Sequence, residues 1–349
     1  MIGTWYFIVS FMLIAYITLD GRNFGAGMLH YIVAQTPEER QQVIATLGPL
    51  WSWHEVWLVA FGGTLLLAFP RLMASAFAGY YLALFLILWS FILRGVSIEL
   101  GGHINNRLWQ SFWGFVFVVS NLLLATLFGV AGGNLVRGVP LDVNGTFSLA
   151  FFTDFRVHGN VGLLDWYTAS IAIFTVVMLA AHGATYLMLK TERAVHDRSA
   201  AWARRLWALV LPLFLAISAE SWVVRPDLFA HAIHHPICWL GLPLLLVSIV
   251  MLIFGLSSGR ETLAFIASNL LLGSILGTGA ATIFPVMLYS TLHPENSLTA
   301  YSVAGSRGTL LIASAWWPVA LALTIVYALF ISRRHARKVT AKGDIQGSY

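Results

Sequence analysis

The sequence AYITLDGRNFGAGMLH at residues 15–30, followed after a polar spacer by GPLWSWHEVW at residues 48–57, decides how this chain is interpreted. Apolar sequence runs into this stretch and out of it again. Within it lie one acid, Asp20, and a histidine–glutamate pair, His54 and Glu55, framed by tryptophans. Ionisable side chains at the ends of membrane spans are costly and usually functional, so we expect the chemistry to centre here.

The composition requires a membrane. Of the 349 residues, 58% are hydrophobic and only 10% are charged, and the mean hydropathy is +0.79. An average soluble domain has roughly 45–50% apolar and about 25% charged residues. A soluble core does not hide this much apolar surface, so lipid must cover it. We therefore predict an all-α integral membrane protein, because helices satisfy their own backbone hydrogen bonds in lipid.

A transmembrane helix needs roughly 20 mostly apolar residues, and about nine such segments are present. The predicted spans lie near residues 4–33, 51–71, 74–96, 111–131, 163–189, 205–224, 234–256, 262–288 and 309–331. No soluble domain is evident, so residues 1–349 are interpreted as a single membrane domain. The first and eighth spans are long and glycine-rich, which favours tilt or local irregularity.

Basic residues collect in the loops that follow odd-numbered spans, and the two most basic segments, residues 190–205 and 333–342, fall on the same side. The positive-inside rule makes that side cytoplasmic, which predicts an external N-terminus and a cytoplasmic basic tail over residues 333–349. The same bias explains the sequence pI near 9.5, so nucleic-acid binding is not expected. The N-terminus has no basic leader, and we expect it to be a retained span.

The chain has one cysteine, Cys238. A single thiol excludes an intrachain disulfide, a CxxCH haem attachment and a zinc or iron–sulfur site built from several thiolates. The charged residues and histidines are therefore the candidates for chemistry.

Five ionisable residues are predicted to meet at one depth on the cytoplasmic side. Asp20 lies near the inner end of the first span, His54 and Glu55 open the second, and Arg94 and Glu99 close the third. Carboxylates in a partly dry site and histidine can pass protons near neutral pH, which suits a proton-uptake route. Alternatively, Arg94 neutralises Glu99 or Asp20 in an ion-pair network that fixes helix register.

Other titratable residues allow two interpretations each. His182, within the fifth span, is either a haem ligand or, as we favour, a hydrogen-bonded contact between helices. Glu220, near the outer end of the sixth span, is more typical of an acid that snorkels to the interface than of a relay. His231, His234 and His235 lie in an outer loop, but the adjacent pair cannot both face one ion from a regular helix, so no metal site is predicted.

Several segments carry a resemblance to a known family. LDGRNFGAG (19–27) resembles that family's LDGFDLGxG in the first span, and PLWSWHEVWL (49–58) resembles its PxWDGNEVWL in the second. Further segments follow in matching order and spacing. They are FPRLMASAFAGYY (69–81), RGVSIEL (94–100), HGATYLMLKT (182–191) and FPVMLYST (284–291). Together they resemble subunit II of the cytochrome bd-type quinol oxidases over essentially the whole chain.

The resemblance implies nine spans, arranged as two four-helix bundles plus one extra helix, in the bacterial inner membrane. It implies a heterodimer with a haem-bearing subunit I, in which haems b and d and the quinol site belong to the partner and none is bound by this chain. The complex would oxidise quinol, reduce O2 to water and take its protons from the cytoplasm. Small single-span accessory subunits are further partners that the family suggests.

This sequence departs from the family pattern at two positions where the family has acids. The residues at these positions are Ser52 and Asn23. A proton path would therefore use Asp20, His54, Glu55 and Glu99, with Arg94 as counter-charge. The departures suggest a divergent branch of the family, for which the cyanide-insensitive type is a candidate. Two other functions stay open: a purely structural subunit that stabilises its partner, and a secondary transporter, although the acids gather at one interface rather than at the midplane that a transporter uses.

Overall fold

Helices form most of the chain. The computed structural model describes residues 1–157, 159–234, 236–335 and 337–339. The helices it contains there are α1 (Ile2–Met28), α2 (His30–Val33), α3 (Pro37–Leu47), α4 (Trp51–Ala68), α5 (Pro70–Gly79), α6 (Tyr81–Gly101), α7 (Arg107–Arg137), α8 (Trp166–Lys190), α9 (Arg193–Val224), α10 (Pro226–His234), α11 (Pro236–Ser257), α12 (Glu261–Ile283) and α13 (Arg307–Arg334). A turn of 3-10 helix lies at Pro294–Asn296.

Eight of the described helices are long and apolar enough to cross a membrane, judged by length and composition. They are α1, α6, α7, α8, α9, α11, α12 and α13. The pair α4 and α5 passes the same test as a ninth candidate, although it is bent by 118°. The prediction of a helical membrane protein with about nine spans is therefore confirmed.

The bend between α4 and α5 corrects two predicted boundaries. The sequence predicts a third span from residue 74, whereas residues 70–79 form α5 and α6 begins only at Tyr81. Pro70 is the reason, because a residue that precedes proline is pushed out of helical geometry. Phe69 accordingly has φ −137° and ψ 61°, so the second span ends at Ala68 instead of residue 71.

The polar spacer after the first span forms helix α3. Thr36 accepts a hydrogen bond from the backbone N–H of Glu39, and the Glu39 side chain accepts one from the backbone N–H of Thr36. This reciprocal capping box starts the helix. Arg198 Nη2, on α9, lies 2.5 Å from Glu39 Oε2 and ties α3 to the body of the protein.

Helix α1 lies at the centre of the packing and contacts α4, α7, α8 and α12. Its closest approach is to α8, where Gly25 faces Gly183 and a β-carbon on either glycine would overlap the backbone of the other helix. Small residues permit such close helix packing in membranes. The approach draws the polar second half of α1 into the interior, where Asp20 and Asn23 are buried.

Two small sheets lie in the connections that follow α7 and α12. Strands β1 (Ala150–Phe152) and β2 (Gly162–Leu164) pair in parallel, and β3 (Val286–Leu288) and β4 (Leu298–Thr299) pair antiparallel. The connection after α7 is fixed at both ends: Arg137 forms an ion pair with Asp165, and Val139 pairs with Ser290 of the β3–β4 segment. The loop that joins α7 to α8 is thus held against the helix ends.

Two arginines within the predicted first and third spans lie inside helices. Arg22 belongs to α1 and Arg94 to α6, where Arg94 is fully buried. The external N-terminus and the grouping into two four-helix bundles plus one helix stay predictions.

The predicted basic tail over residues 333–349 is described only in part, since residues 336 and 340–349 lie outside the described residues. The part that is described packs back onto the helix ends. Gln42 Nε2, on α3, lies 2.7 Å from the carbonyl oxygen of Val339, whose own N–H donates to the carbonyl of Lys190 at the end of α8.

Candidate functional site

Three charged side chains from three helices meet inside the protein. Arg94 Nη1, on α6, lies 2.9 Å from Asp20 Oδ2 on α1, and Arg94 Nη2 lies 2.5 Å from Glu55 Oε1 on α4. Asp20 and Arg94 are fully buried, while the Glu55 side chain is 25% exposed. A guanidinium matches two carboxylates through separate N–H groups. Of the interpretations that the sequence offered for Arg94, the structure favours pairing with Asp20 and adds Glu55.

One face of α1 supplies the neighbours of Asp20. Tyr16 and Asn23 lie four residues before and three residues after it, spacings that place side chains on the same side of a helix. The Tyr16 hydroxyl donates to Asp20 Oδ2 at 3.0 Å, and the Asn23 side-chain amide lies 2.8 Å from Asp20 Oδ1. Asp20 thus has polar partners on both oxygens although no solvent reaches it.

His54 joins this network through Asn23. Its Nδ1 lies 2.8 Å from the Asn23 amide and its Nε2 lies 2.7 Å from Arg22 Nη2, and the ring is fully buried. Glu55 follows it at about 100° around the helix. The two adjacent side chains therefore reach different parts of one cluster, His54 the α1 side and Glu55 the α6 side.

Aromatic rings surround both arginines. The Arg22 guanidinium carbon lies 5.0 Å from the ring centre of Tyr186 on α8 and 5.7 Å from that of Phe265 on α12. The Arg94 guanidinium lies 4.9 Å and 5.2 Å from the rings of Phe24 and Phe91. Ring faces stabilise cations that have lost their water. Arg22 was not predicted as a site residue, because its partners come from α4, α8 and α12 and no local pattern indicates them.

Glu99 is not brought into the cluster. It lies five residues after Arg94 on α6 and is exposed. The structure therefore brings together four of the five predicted residues. Arg94 contacts Asp20 and Glu55 directly, and His54 is connected to Asp20 through Asn23. Tyr16 also belongs to the network; its spacing of four residues from Asp20 is the signal that would have revealed it.

His182 makes a contact between helices. Its Nδ1 lies 2.9 Å from Ser268 Oγ on α12, its Nε2 lies 3.1 Å from the carbonyl oxygen of Thr18 on α1, and its ring stacks on Phe265. Both ring nitrogens are thus occupied by protein partners, as a packed and hydrogen-bonded histidine requires. These residues do not fit an iron ligand.

The remaining candidates lie apart from the cluster. Glu220 is half-buried, and its Oε2 has no hydrogen-bond partner within the described chain. His231 Nδ1 lies 2.9 Å from the carbonyl oxygen of Thr282. His235, the third member of the predicted trio, lies outside the described residues, and among those described no three His, Cys, Asp or Glu side chains are grouped to hold a metal ion.

The network combines groups that exchange protons with groups that do not. Carboxylates and a neutral imidazole can accept and release protons near neutral pH, whereas a guanidinium only donates hydrogen bonds. Asp20, Glu55 and His54 are therefore the groups able to carry a proton. Arg94 and Arg22 supply positive charge that balances the carboxylates.

The comparisons with known proteins agree over the whole chain. The family model described as cytochrome bd terminal oxidase subunit II matches residues 1–334. The cytochrome bd-I ubiquinol oxidase subunit 2 of Escherichia coli K12 is 27% identical over 370 residues, covering 98% of this chain and 96% of the relative. The cytochrome bd ubiquinol oxidase subunit 2 of Bacillus subtilis is 24% identical and covers 89% and 88% of the two chains.

A solved structure shares the fold. A chain of the bd oxidase from Geobacillus thermodenitrificans aligns with a TM-score of 0.69 and 17% identity, covering 94% of this chain and 98% of that one. The family model spans all of the helices described above, including the three that carry Asp20, Glu55 and Arg94. This chain therefore belongs to the cytochrome bd terminal oxidase subunit II family.

Proposed function

We propose that this chain, a component of a quinol oxidase complex in the bacterial inner membrane, carries no haem itself and supplies part of the path by which protons are taken up from the cytoplasm. Asp20, His54, Glu55 and Glu99 carry the protons, and Arg94 is their counter-charge. The single observation behind the proposal is the buried network in which Arg94 contacts both Asp20 and Glu55. Buried ionisable groups of this kind in a membrane are usually functional.

Exposure suggests the order of the path. Glu99 is exposed at the end of α6, Glu55 is 25% exposed, and Asp20 and His54 are fully buried. In this proposal Glu99 collects protons, Glu55 passes them inward, and Asp20 and His54 hold them at the innermost position. Ser52 and Asn23 carry no charge, so the path depends on these four groups alone within this chain.

We further propose that the haem groups b and d and the quinol site lie in a haem-bearing subunit I. The complex then oxidises quinol and reduces O2 to water with protons from the cytoplasm, the N-terminus of this chain lying outside and its basic tail inside. The occupied ring nitrogens of His182 support the haem-free role. Small accessory subunits belong to the same proposal.

The test is oxygen consumption by the purified complex. Asp20→Asn and Glu55→Gln keep the shape of the side chain and remove the titratable group, so both variants should consume oxygen more slowly while the haem spectrum stays intact. Glu38→Gln, an exposed acid on α3, is the matched control and should behave as wild type. Wild-type turnover in both cluster variants discards the proton path.

A structural role is the second candidate, because the Arg94 ion pairs join α1, α4 and α6. A buried ion pair that only fixes helix register is a common alternative to a relay. It predicts that every disruptive variant of the cluster lowers the yield of assembled complex and that none lowers the rate alone.

A further inference from the structure

Four side chains form a continuous line of polar contacts from Arg22 to Asp20. Arg22 Nη2 lies 2.7 Å from His54 Nε2, His54 Nδ1 lies 2.8 Å from the Asn23 amide, and the same amide atom lies 2.8 Å from Asp20 Oδ1. Each short contact needs one hydrogen between its two atoms. The donor or acceptor role of each atom therefore fixes the position of each of these hydrogens.

The guanidinium of Arg22 is always charged and only donates hydrogen bonds. His54 Nε2 must therefore accept. A neutral imidazole carries its single proton on the other nitrogen, so Nδ1 is the N–H group and donates toward Asn23. A doubly protonated His54 is excluded, because its Nε2–H would point at the N–H of Arg22.

The amide of Asn23 must then present its oxygen to His54. Amide oxygen and nitrogen are assigned from the hydrogen-bond network, so this orientation is as compatible with the atomic positions as the reverse one. The other amide atom, placed as Oδ1, has no hydrogen-bond partner within the described chain. The amide oxygen now lies 2.8 Å from Asp20 Oδ1, and two oxygens at this distance need a hydrogen between them.

We propose that Arg22 and Asn23 are positioning residues that, through His54, keep a proton on Oδ1 of Asp20. The arrangement satisfies every contact: Asp20 Oδ1–H donates to Asn23, and Oδ2 accepts from Arg94 and Tyr16. The inference rests on the proposed proton path for its functional meaning, since it identifies Asp20 as the group that stores the proton. Loss of that proton would reverse the Asn23 amide, move the His54 proton to Nε2 and break the Arg22 contact.

Electrostatics alone predicts the opposite effect of Arg22. The charged and titratable groups that face Asp20 are Tyr16 on α1, Arg94 on α6, Glu55 beyond Arg94, and Arg22 with His54 beyond Asn23. A cation near a carboxyl favours its ionised form. If charge decides, removing Arg22 should favour the protonated form of Asp20. If the hydrogen-bond line decides, removing Arg22 should favour the ionised form. The two accounts differ in sign.

The experiment is infrared spectroscopy of the purified complex in H2O and D2O. A protonated Asp20 gives a carboxylic acid C=O band that shifts in D2O and is missing from Asp20→Asn. We expect Arg22→Met to lose this band, because His54 can then carry its proton on Nε2 and let the Asn23 NH2 group donate to an ionised Asp20. Arg22→Lys keeps both charge and donor, and should keep the band.

Two results overturn the inference: a wild-type complex without a band sensitive to Asp20→Asn, or a band that persists in Arg22→Met. Where Arg22→Met does not assemble, His54→Leu decides, because it frees the Asn23 amide to turn its NH2 group toward an ionised Asp20 and should likewise lose the band. Oxygen consumption separates the two proposals. Wild-type turnover in both Asp20→Asn and Glu55→Gln removes the proton path, while the infrared result still reports on the proton of Asp20.

Discussion

Arg94 Nη1 lies 2.9 Å from Asp20 Oδ2 across the boundary between α6 and α1, and neither side chain is reached by solvent. The same guanidinium bonds Glu55, so one cation contacts an acid on each of two other helices. A buried ion pair adds little stability compared with a well-packed apolar pair, but removal of one partner leaves the other charge buried without compensation. The cluster should therefore tolerate paired changes better than single ones.

We expect Arg94→Met to destabilise the protein by about 3–5 kcal/mol, the usual cost of breaking a buried pair from one side. Thermal unfolding of the purified complex measures it. The double variant Arg94→Met with Glu55→Gln should recover part of that loss, because the carboxylate that lost its counter-charge is gone. Additive losses in the double variant would show that the two residues do not act as a pair.

The contact between α1 and α8 gives a second prediction. Gly25→Val should prevent the helices from approaching, because even a single added carbon would overlap the backbone at Gly183. Overpacking a tight contact costs about 1–3 kcal/mol, and more where backbone is struck. Gly273→Ala on α12 is the control, since its added carbon meets nothing within 4 Å. The yield of assembled complex should fall for Gly25→Val and not for Gly273→Ala.

The spans and most of the site could be predicted from the sequence because both follow from the cost of placing groups in lipid. Hydropathy identifies the helices, and the positions of Asp20, Glu55 and Arg94 near span ends indicate that they meet. Pro70 is a sequence signal for the bend after Phe69. The prediction missed the bend because apolar sequence continues on both sides of the proline. Glu99 was misplaced since spacing along α6 gives its depth and not the direction it faces.

Arg22 illustrates what the sequence did not reveal. It lies two residues after Asp20 and therefore on another face of α1, so helical spacing does not group it with Asp20. Its burial depends on His54 from α4, Tyr186 from α8 and Phe265 from α12. Such a site exists only once several helices are packed, so no local pattern predicts it.

The Glu39–Arg198 ion pair, outside the membrane spans, gives a pH-dependent prediction. The hydrogen bond from Arg198 holds the pKa of Glu39 below its ordinary value of 4.5. A lowered pKa in the folded state means that the stabilisation is complete above the unfolded value and is lost as the pH falls through the folded value. Because the pair is partly exposed, the effect should be about 0.2–1 kcal/mol.

Comparison of wild type with Glu39→Gln by thermal unfolding measures this effect. The difference in Tm should be largest near neutral pH and should shrink below pH 4.5. Glu38→Gln removes an acid from the same turn of α3 without removing the ion pair, and should change stability less at neutral pH. A Glu39→Gln difference that grows as the pH falls would contradict the assigned sign.

His182 gives the last prediction, which separates a packing role from iron ligation. His182→Leu leaves Ser268 Oγ and the carbonyl oxygen of Thr18 without their buried partner, at a cost of about 1–3 kcal/mol. His182→Gln can keep one of these hydrogen bonds and should lose less. In both variants the ratio of haem to protein in the assembled complex should equal that of wild type, because Ser268 and Thr18 occupy both ring nitrogens. A stoichiometric loss of one haem in His182→Gln, with assembly intact, would instead make this histidine a ligand.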